Sequence, residues 1–288
     1  MELKGSNTEE HLRRAFVREL HAHADYTYFA LAAREAGLEA IADIFSATAE
    51  NEAEHARHEF NLLDGHGDTG ANLKQAIERE HEEATRLYPG AAEVAEKEGF
   101  AEVADFFRRM SKVEEKHEKN FAELVETLDK GGTYEGRTVG HSAIEMAQVM
   151  LPHQTNPAGF VHGGELMKLM DNAAGVVAAR HSRANPVTAK VDNINFRSPV
   201  HVGDLVLIHA KVTFTSRSSM ELQIEVEAEN LLTGKRVQAL TAYYIMIAVD
   251  AGGKAVEVPP LIVSTEEEER LFNEGSTRYQ ARKAKSGR

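Results

Sequence analysis

Glu52-Ala53-Glu54-His55 and Glu114-Glu115-Lys116-His117 are one Glu-x-x-His pattern written twice, 62 residues apart. On a helix, residues three apart share a face, so each copy aims a carboxylate and an imidazole at one point. The repeat reaches further back along the chain. Ala36-Gly37-Leu38-Glu39-Ala40-Ile41-Ala42-Asp43-Ile44-Phe45 answers Glu98-Gly99-Phe100-Ala101-Glu102-Val103-Ala104-Asp105-Phe106-Phe107 at the same offset. Glu19 faces Glu80 at an offset of 61. A helix-turn-helix unit of about 60 residues has been duplicated, and each copy brings one lone Glu and one Glu-x-x-His.

The surroundings of the repeat are helical in texture. Up to about Asp129 the chain is rich in Ala, Glu, Lys, Arg and Leu, with apolar residues three and four apart. Helices are expected over 8–35, 38–63, 70–97 and 100–129. Gly37, Gly99 and the stretch Asp64-Gly65-His66-Gly67-Asp68 break them, and Pro89 should kink the third. The first 130 residues hold 29 acidic against 16 basic side chains and so carry the whole net charge of −13. That balance argues against nucleic acid as a partner and fits either a solvated helical surface or cation binding. The chain has no cysteine, which removes disulfides, thiolate metal sites and a thiol nucleophile. There is no apolar run near the length of a membrane span and no start resembling a signal peptide. A cytoplasmic protein with no membrane partner is expected.

In bundles that hold a pair of metals through carboxylates, two helices each give a Glu and the other two each give Glu-x-x-His. Glu19, Glu80, Glu52/His55 and Glu114/His117 supply that set. Oxygen ligands with one imidazole per metal suit iron or manganese better than structural zinc. Glu-rich helices also produce Glu-x-x-His by chance on a solvated face, but two copies at one offset with a matching Glu before each do not read as chance. Residues 8–129 resemble a rubrerythrin, from Tyr26-Thr27-Tyr28-Phe29-Ala30 through Ala49-Glu50-Asn51-Glu52 to Leu87-Tyr88-Pro89. The resemblance implies a ferritin-like four-helix bundle with two iron ions held by Glu19, Glu52, His55, Glu80, Glu83, Glu114 and His117. Manganese is the alternative metal. Tyr26 would lie near the metals as a hydrogen-bonding group. The activity implied is reduction of hydrogen peroxide. Family members that end in a cysteine-ligated rubredoxin centre carry their own electron entry; without cysteine, this chain needs an external donor, rubredoxin-like or a flavoprotein. A bundle acting as a redox or iron sensor, or as a scaffold, is the other class of role.

After a Gly-rich linker the texture changes. Ser142–Leu151 looks like a strand and Gly163–His181 like an unusually apolar helix. Strands are expected over 187–196, 204–216, 219–230 and 235–249, with Leu232-Thr233-Gly234-Lys235 as a hairpin turn. The tail from Thr265 begins acidic and ends basic, as a helix obeying its dipole would. Gly163-Gly164 at a helix start lets backbone N–H groups approach a ligand oxygen. Asp171, set among apolar residues, is expected to be buried with a raised pKa suited to general-base work; the other reading is a solvated Asp on a partly exposed helix.

His153–Asp250 resembles the hotdog-fold acyl-CoA thioesterases. The resemblance rests on Gly159-Phe160-Val161-His162-Gly163-Gly164, Leu169-Met170-Asp171, Val176-Val177-Ala178-Ala179-Arg180-His181, Val191-Asp192-Asn193-Ile194-Asn195-Phe196 and Thr213-Phe214-Thr215-Ser216. It implies an antiparallel sheet wrapped on a long central helix, with Asp171 activating water. Asn156 would orient the water or the carbonyl, and the Gly163 and Gly164 amides would hold the oxyanion. Arg217 and Ser218 are candidates for contact with CoA phosphates. Asn156 and Asp171 would come from different hotdog units, so at least a homodimer is implied, and a hexamer is usual among relatives. A hotdog domain that only binds acyl-CoA should lack the Asp. The expected domains are therefore 1–130 for the bundle, 131–140 for the linker, 141–264 for the hotdog and 265–288 for the tail.

Overall fold

The computed structural model describes residues 3–63, 65, 67–131 and 135–285. The expected breaks at Asp64 and His66, the linker residues 132–134 and the last three residues lie outside these. The described residues form two compact units: Met1–Glu80 with Glu118–Leu128, and His81–His117 with Asp129–Arg288.

In the first unit, α1 (Asn7–Glu35) and α2 (Glu39–Leu62) form an antiparallel hairpin. Ser6 caps α1 by accepting from the Glu9 amide, and Gly37 takes the positive φ that reverses the chain between them. The helices touch through Ala30, Ala33, Ala42, Ala49 and Ala56, all buried. Alanine at every close contact lets the backbones approach. α3 (Thr69–Glu82) follows.

The expected third helix, 70–97, is interrupted in its hydrogen bonding. Residues Glu83–Leu87 form a π-turn before α4 (Tyr88–Lys97), and the Tyr88 amide reaches back five residues to the Glu83 carbonyl. Pro89 has no N–H to give the carbonyl four residues back, and the helix resets its hydrogen-bond register there. α5 (Ala101–Asp129) completes the helical part.

The remainder of the second unit is built on a five-stranded antiparallel sheet of order β2-β4-β5-β6-β3. The strands are β2 (Ile144–Val149), β3 (Asn185–Phe196), β4 (Asp204–Thr215), β5 (Ser219–Asn230) and β6 (Arg236–Val249). A short parallel pair joins β1 (Arg137–Thr138) to β7 (Leu261–Ile262). The strand expected to begin at Ser142 begins at Ile144 instead. Thr138 accepts from the His141 amide and winds Val139–Ser142 into a helical turn, α6.

α7 (Gly163–Ser182) lies on one face of the sheet. Its residues Leu166, Met170, Ala173, Ala174, Val177 and Ala178 join Ile208, Leu222, Ile224 and Leu240 in a single core. Each large side chain buried there contributes about 1.5–3 kcal/mol. The far end of α7 is pinned by polar contacts. Fully buried His181 donates from Nε2 to the Pro259 carbonyl at 3.1 Å and pairs through Nδ1 with the Ser142 hydroxyl at 3.2 Å. Burial pushes the His181 pKa below its ordinary value, so the ring packs as neutral imidazole.

α8 (Glu266–Lys285) confirms the tail helix and packs against β4 and β5. Gly275 marks the closest approach, since a Cβ there would sit 2.6 Å from Phe214 Cβ. Beside it, Glu221 is 1 % exposed and accepts from Arg278 at 2.8 and 3.0 Å and from Arg282 at 2.9 Å. The Arg278 guanidinium also stacks 4.1 Å over the Tyr243 ring. Among the described residues no helix is long and apolar enough to cross a membrane.

Removing the carboxylate at Glu221 leaves two guanidiniums in a dry interface. Glu221→Ala should lower the stability of the sheet unit by about 3–5 kcal/mol in urea denaturation. Glu257→Ala, which removes a surface partner of Arg217, should shift it by less than about 1 kcal/mol.

Candidate functional site

Six of the seven expected metal ligands make two triads by the repeat, Glu19/Glu52/His55 and Glu80/Glu114/His117. Glu19 on α1 and Glu52 and His55 on α2 offer ligand atoms within 4.8 Å of one another. Of the matching set, Glu80 lies on α3 and Glu114 and His117 on α5. Glu83, the seventh, is half-buried at the first position of the π-turn, one turn after Glu80.

In the first triad, His55 Nδ1 lies 2.9 Å from Glu52 Oε2 and 3.9 Å from Glu19 Oε2. Two carboxylates share that corner. The hydrogen bond with Glu52 holds the Glu19 pKa above the ordinary carboxylate value, aided by burial and by the Glu59 charge. Glu52 is held below it by Glu19 and His55. A cation would replace the shared proton and let both ionise. Glu59, one turn after His55, adds a buried oxygen, Oε2, with no hydrogen-bond partner. It lines a cleft of about 470 Å³ with Glu19, His55, Asn51, Glu54 and His58. Crowded oxygens, one imidazole and an orphaned buried carboxylate oxygen fit a divalent cation of the iron or manganese type. Tyr26 stacks on Phe45 at 6.1 Å between ring centroids.

In the second triad, Glu114 is buried and its Oε2 lies 2.7 Å from His117 Nδ1. His117 Nε2 points the other way and donates to the Ser264 carbonyl at 2.8 Å. That arrangement, one ring nitrogen toward the carboxylates and the other on a carbonyl, is the one a metal-ligating histidine adopts.

In the hotdog part, Asp171 departs from expectation. The buried stripe of α7 faces the sheet, which leaves Asp171 on the exposed side of the helix. It is not held by burial but by Thr188 of β3, whose Oγ1 donates to Asp171 Oδ1 at 2.7 Å. Thr188 is a site residue that the sequence did not mark, because a threonine in a strand reads as ordinary β-propensity. Behind Asp171, Tyr244 donates to the Met167 carbonyl; burial, with a smaller contribution from the Asp171 charge, pushes its phenol up to about 12.

Asn156 sits in a tight turn where its Oδ1 accepts from the Ala158 and Phe160 amides at 2.9 and 3.3 Å. Those bonds fix the side chain with its Nδ2 unpaired among the described residues. At the start of α7, the Gly164 amide donates to His162 Nδ1 at 3.1 Å. Of the two expected oxyanion donors, only the Gly163 amide is left open. A Cβ on Gly163 would come within 3.0 Å of the Phe196 ring. No hydrogen bond joins Asn156 to Asp171 among the described residues. β3, which carries Thr188, is an edge strand with one side unpaired. Arg217 and Ser218 lie in the β4–β5 turn. Arg217 is mostly exposed, 3.6 Å from Glu257, and lines a cleft of about 930 Å³ with Arg137, His141 and Ser182. The Ser218 carbonyl accepts from the Ala248 amide.

The geometry agrees with what the chain is similar to. The rubrerythrin family model matches residues 10–125, and the thioesterase superfamily model matches residues 158–235. A rubrerythrin of Porphyromonas gingivalis is 42% identical over 146 residues, covering 46% of this chain and 73% of that protein. A cytosolic acyl coenzyme A thioester hydrolase of Rattus norvegicus is 41% identical over 153 residues, covering 52% of this chain. The chain spans only 40% of the length of that relative. Among solved structures, an apo-hexameric acyl-CoA thioesterase superposes with a TM-score of 0.51 at 35% identity, covering 52% of this chain and 97% of that one. The chain therefore belongs to the rubrerythrin family in its ferritin-like helical part and to the thioesterase superfamily in its hotdog part.

Proposed function

We propose that the hotdog part, residues 141–264 with the 265–288 tail docked on it, hydrolyses acyl-CoA thioesters to the free acid and CoA. The observation that carries this is Asp171, held by Thr188 at 2.7 Å on the open side of an otherwise apolar helix. An exposed carboxylate with one oxygen fixed and the other free is placed to take a proton from water. That water adds to the thioester carbonyl, the C–S bond breaks, and the CoA sulfur leaves with the proton. Asn156 Nδ2 and the Gly163 amide are the donors left for the carbonyl oxygen. Asn156 and Asp171 come from two copies paired along the open β3 edge, so the active species is at least a homodimer; the hexameric relative supports a larger assembly. Arg217 and Ser218 are assigned to the CoA phosphates.

The bundle, residues 1–130, holds two metal ions through Glu19, Glu52 and His55 and through Glu80, Glu83, Glu114 and His117. Iron bound there would supply redox chemistry toward peroxide, one electron from each ion of the pair, and manganese is the alternative occupant. The residues themselves provide the anionic cage and keep the imidazoles facing it. Reduction of one hydrogen peroxide to two waters takes two electrons and two protons. With no cysteine-ligated centre in the chain, the electrons come from a rubredoxin-like or flavoprotein donor. The crowded carboxylates and the rubrerythrin relatives support this role; placement in the cytoplasm accords with the cytosolic relative.

Asp171→Ala should lower kcat for CoA release by about 10²-fold or more while the melting temperature stays within a few degrees. Thr188→Val, which frees the Asp171 carboxylate, should lower kcat by roughly tenfold. Wild-type rates in Asp171→Ala would remove the hydrolytic assignment. Iron-loaded protein given peroxide and a reducing partner should consume peroxide over many turnovers, and Glu52→Ala should abolish it. A single oxidation that no donor reverses would assign the bundle to sensing instead.

A further inference from the structure

The two triads are copies in sequence but not in surroundings. Among the described residues, His55 Nε2 has no protein acceptor, whereas His117 Nε2 donates to the Ser264 carbonyl 147 residues away. A carbonyl oxygen can only accept, so it fixes the hydrogen on Nε2 and turns Nδ1 toward Glu114 and the metal side.

The acceptor itself is well held. The Ser264 amide donates to Glu268 Oε2 at 2.7 Å, and Thr265 Oγ1 accepts from the Glu268 amide at 3.2 Å, a reciprocal cap at the start of α8. The same stretch is joined to α5 by Lys116 with Glu269 at 3.0 Å and by Arg109 with Glu266 at 3.6 Å. Two ion pairs flank one imidazole–carbonyl bond. From Ser264, the chain runs back two residues to β7 and forward into α8, which clamps Glu221 on the sheet.

Resting on the metal-binding role proposed for the bundle, we infer that Ser264 and the α8 cap are the outer support of His117. A metal on Nδ1 then tightens the start of α8, and the docked cap strengthens that metal in return. Metal on a ring nitrogen withdraws charge from the imidazole and makes Nε2–H a better donor. Binding linkage makes the effect reciprocal. Hydrolase and bundle are thereby coupled through the second triad and not the first.

The test is hydrogen exchange of the Ser264, Glu268 and Glu269 amides in the full-length protein with and without Mn²⁺, with bound metal counted separately by elemental analysis. Exchange should slow by about tenfold or more on metal binding. Glu269→Lys should lose most of that response, and adding Lys116→Glu to restore the pair should recover it. His55→Ala should leave the response in place, and His117→Ala should erase it. Bound metal with unchanged exchange at these amides would overturn the coupling alone. No bound metal would overturn the coupling together with the metal-binding role. A full response in Glu269→Lys would show that the cap does not carry it.

Discussion

A carboxylate taken out of water must be met by positive charge, by hydrogen bonds or by loss of its own charge. This chain places acidic groups in three demanding positions and balances each differently. Glu221, under α8, is met by two arginines on one helix, and that pairing docks the tail. Asp171 escapes burial by facing outward from α7 and needs only one hydroxyl. In the bundle, Glu19, Glu52 and Glu59 crowd around His55, and Glu59 Oε2 has no hydrogen-bond partner among the described residues. Divalent cations in the proposed sites would complete that balance, and the duplicated Glu-x-x-His is the pattern such sites need.

The hotdog part shows the complementary economy. Its helix is apolar on the sheet side, and Asp171 lies on the free side among mostly apolar sequence neighbours. The edge strand β3 brings Thr188 to it, and the same edge is open for pairing. Asn156 Nδ2 and the Gly163 amide have no hydrogen-bond acceptor among the described residues. That arrangement supports the proposed completion of the site by another copy.

Much of this was legible along the chain, and the reasons for the exceptions are physical. Periodic apolar spacing and the glycine breaks gave each long helix to within a residue or two at its ends, because both signals are local. The alternation of Leu222-Gln223-Ile224-Glu225 located β5 for the same reason. The π-turn at Glu83–Leu87 was not foreseen, since Pro89 marks a disturbed helix but only the neighbouring hydrogen bonds decide its form. Asp171 was expected in the dark because its neighbours in sequence are apolar, yet a helix has two faces. Thr188 and Ser264 carry no local mark at all. Their roles arise from contacts made 17 and 147 residues away.

The central claim is that the two Glu, Glu, His triads are cation sites, and metal stoichiometry tests it most directly. Iron-loaded protein freed of excess metal should carry two ions per chain by elemental analysis, with a clear loss in Glu19→Ala and in Glu114→Ala and no loss in Asp171→Ala. Fewer than one ion per chain in the wild type, or a count unchanged by removing either triad, would contradict the account.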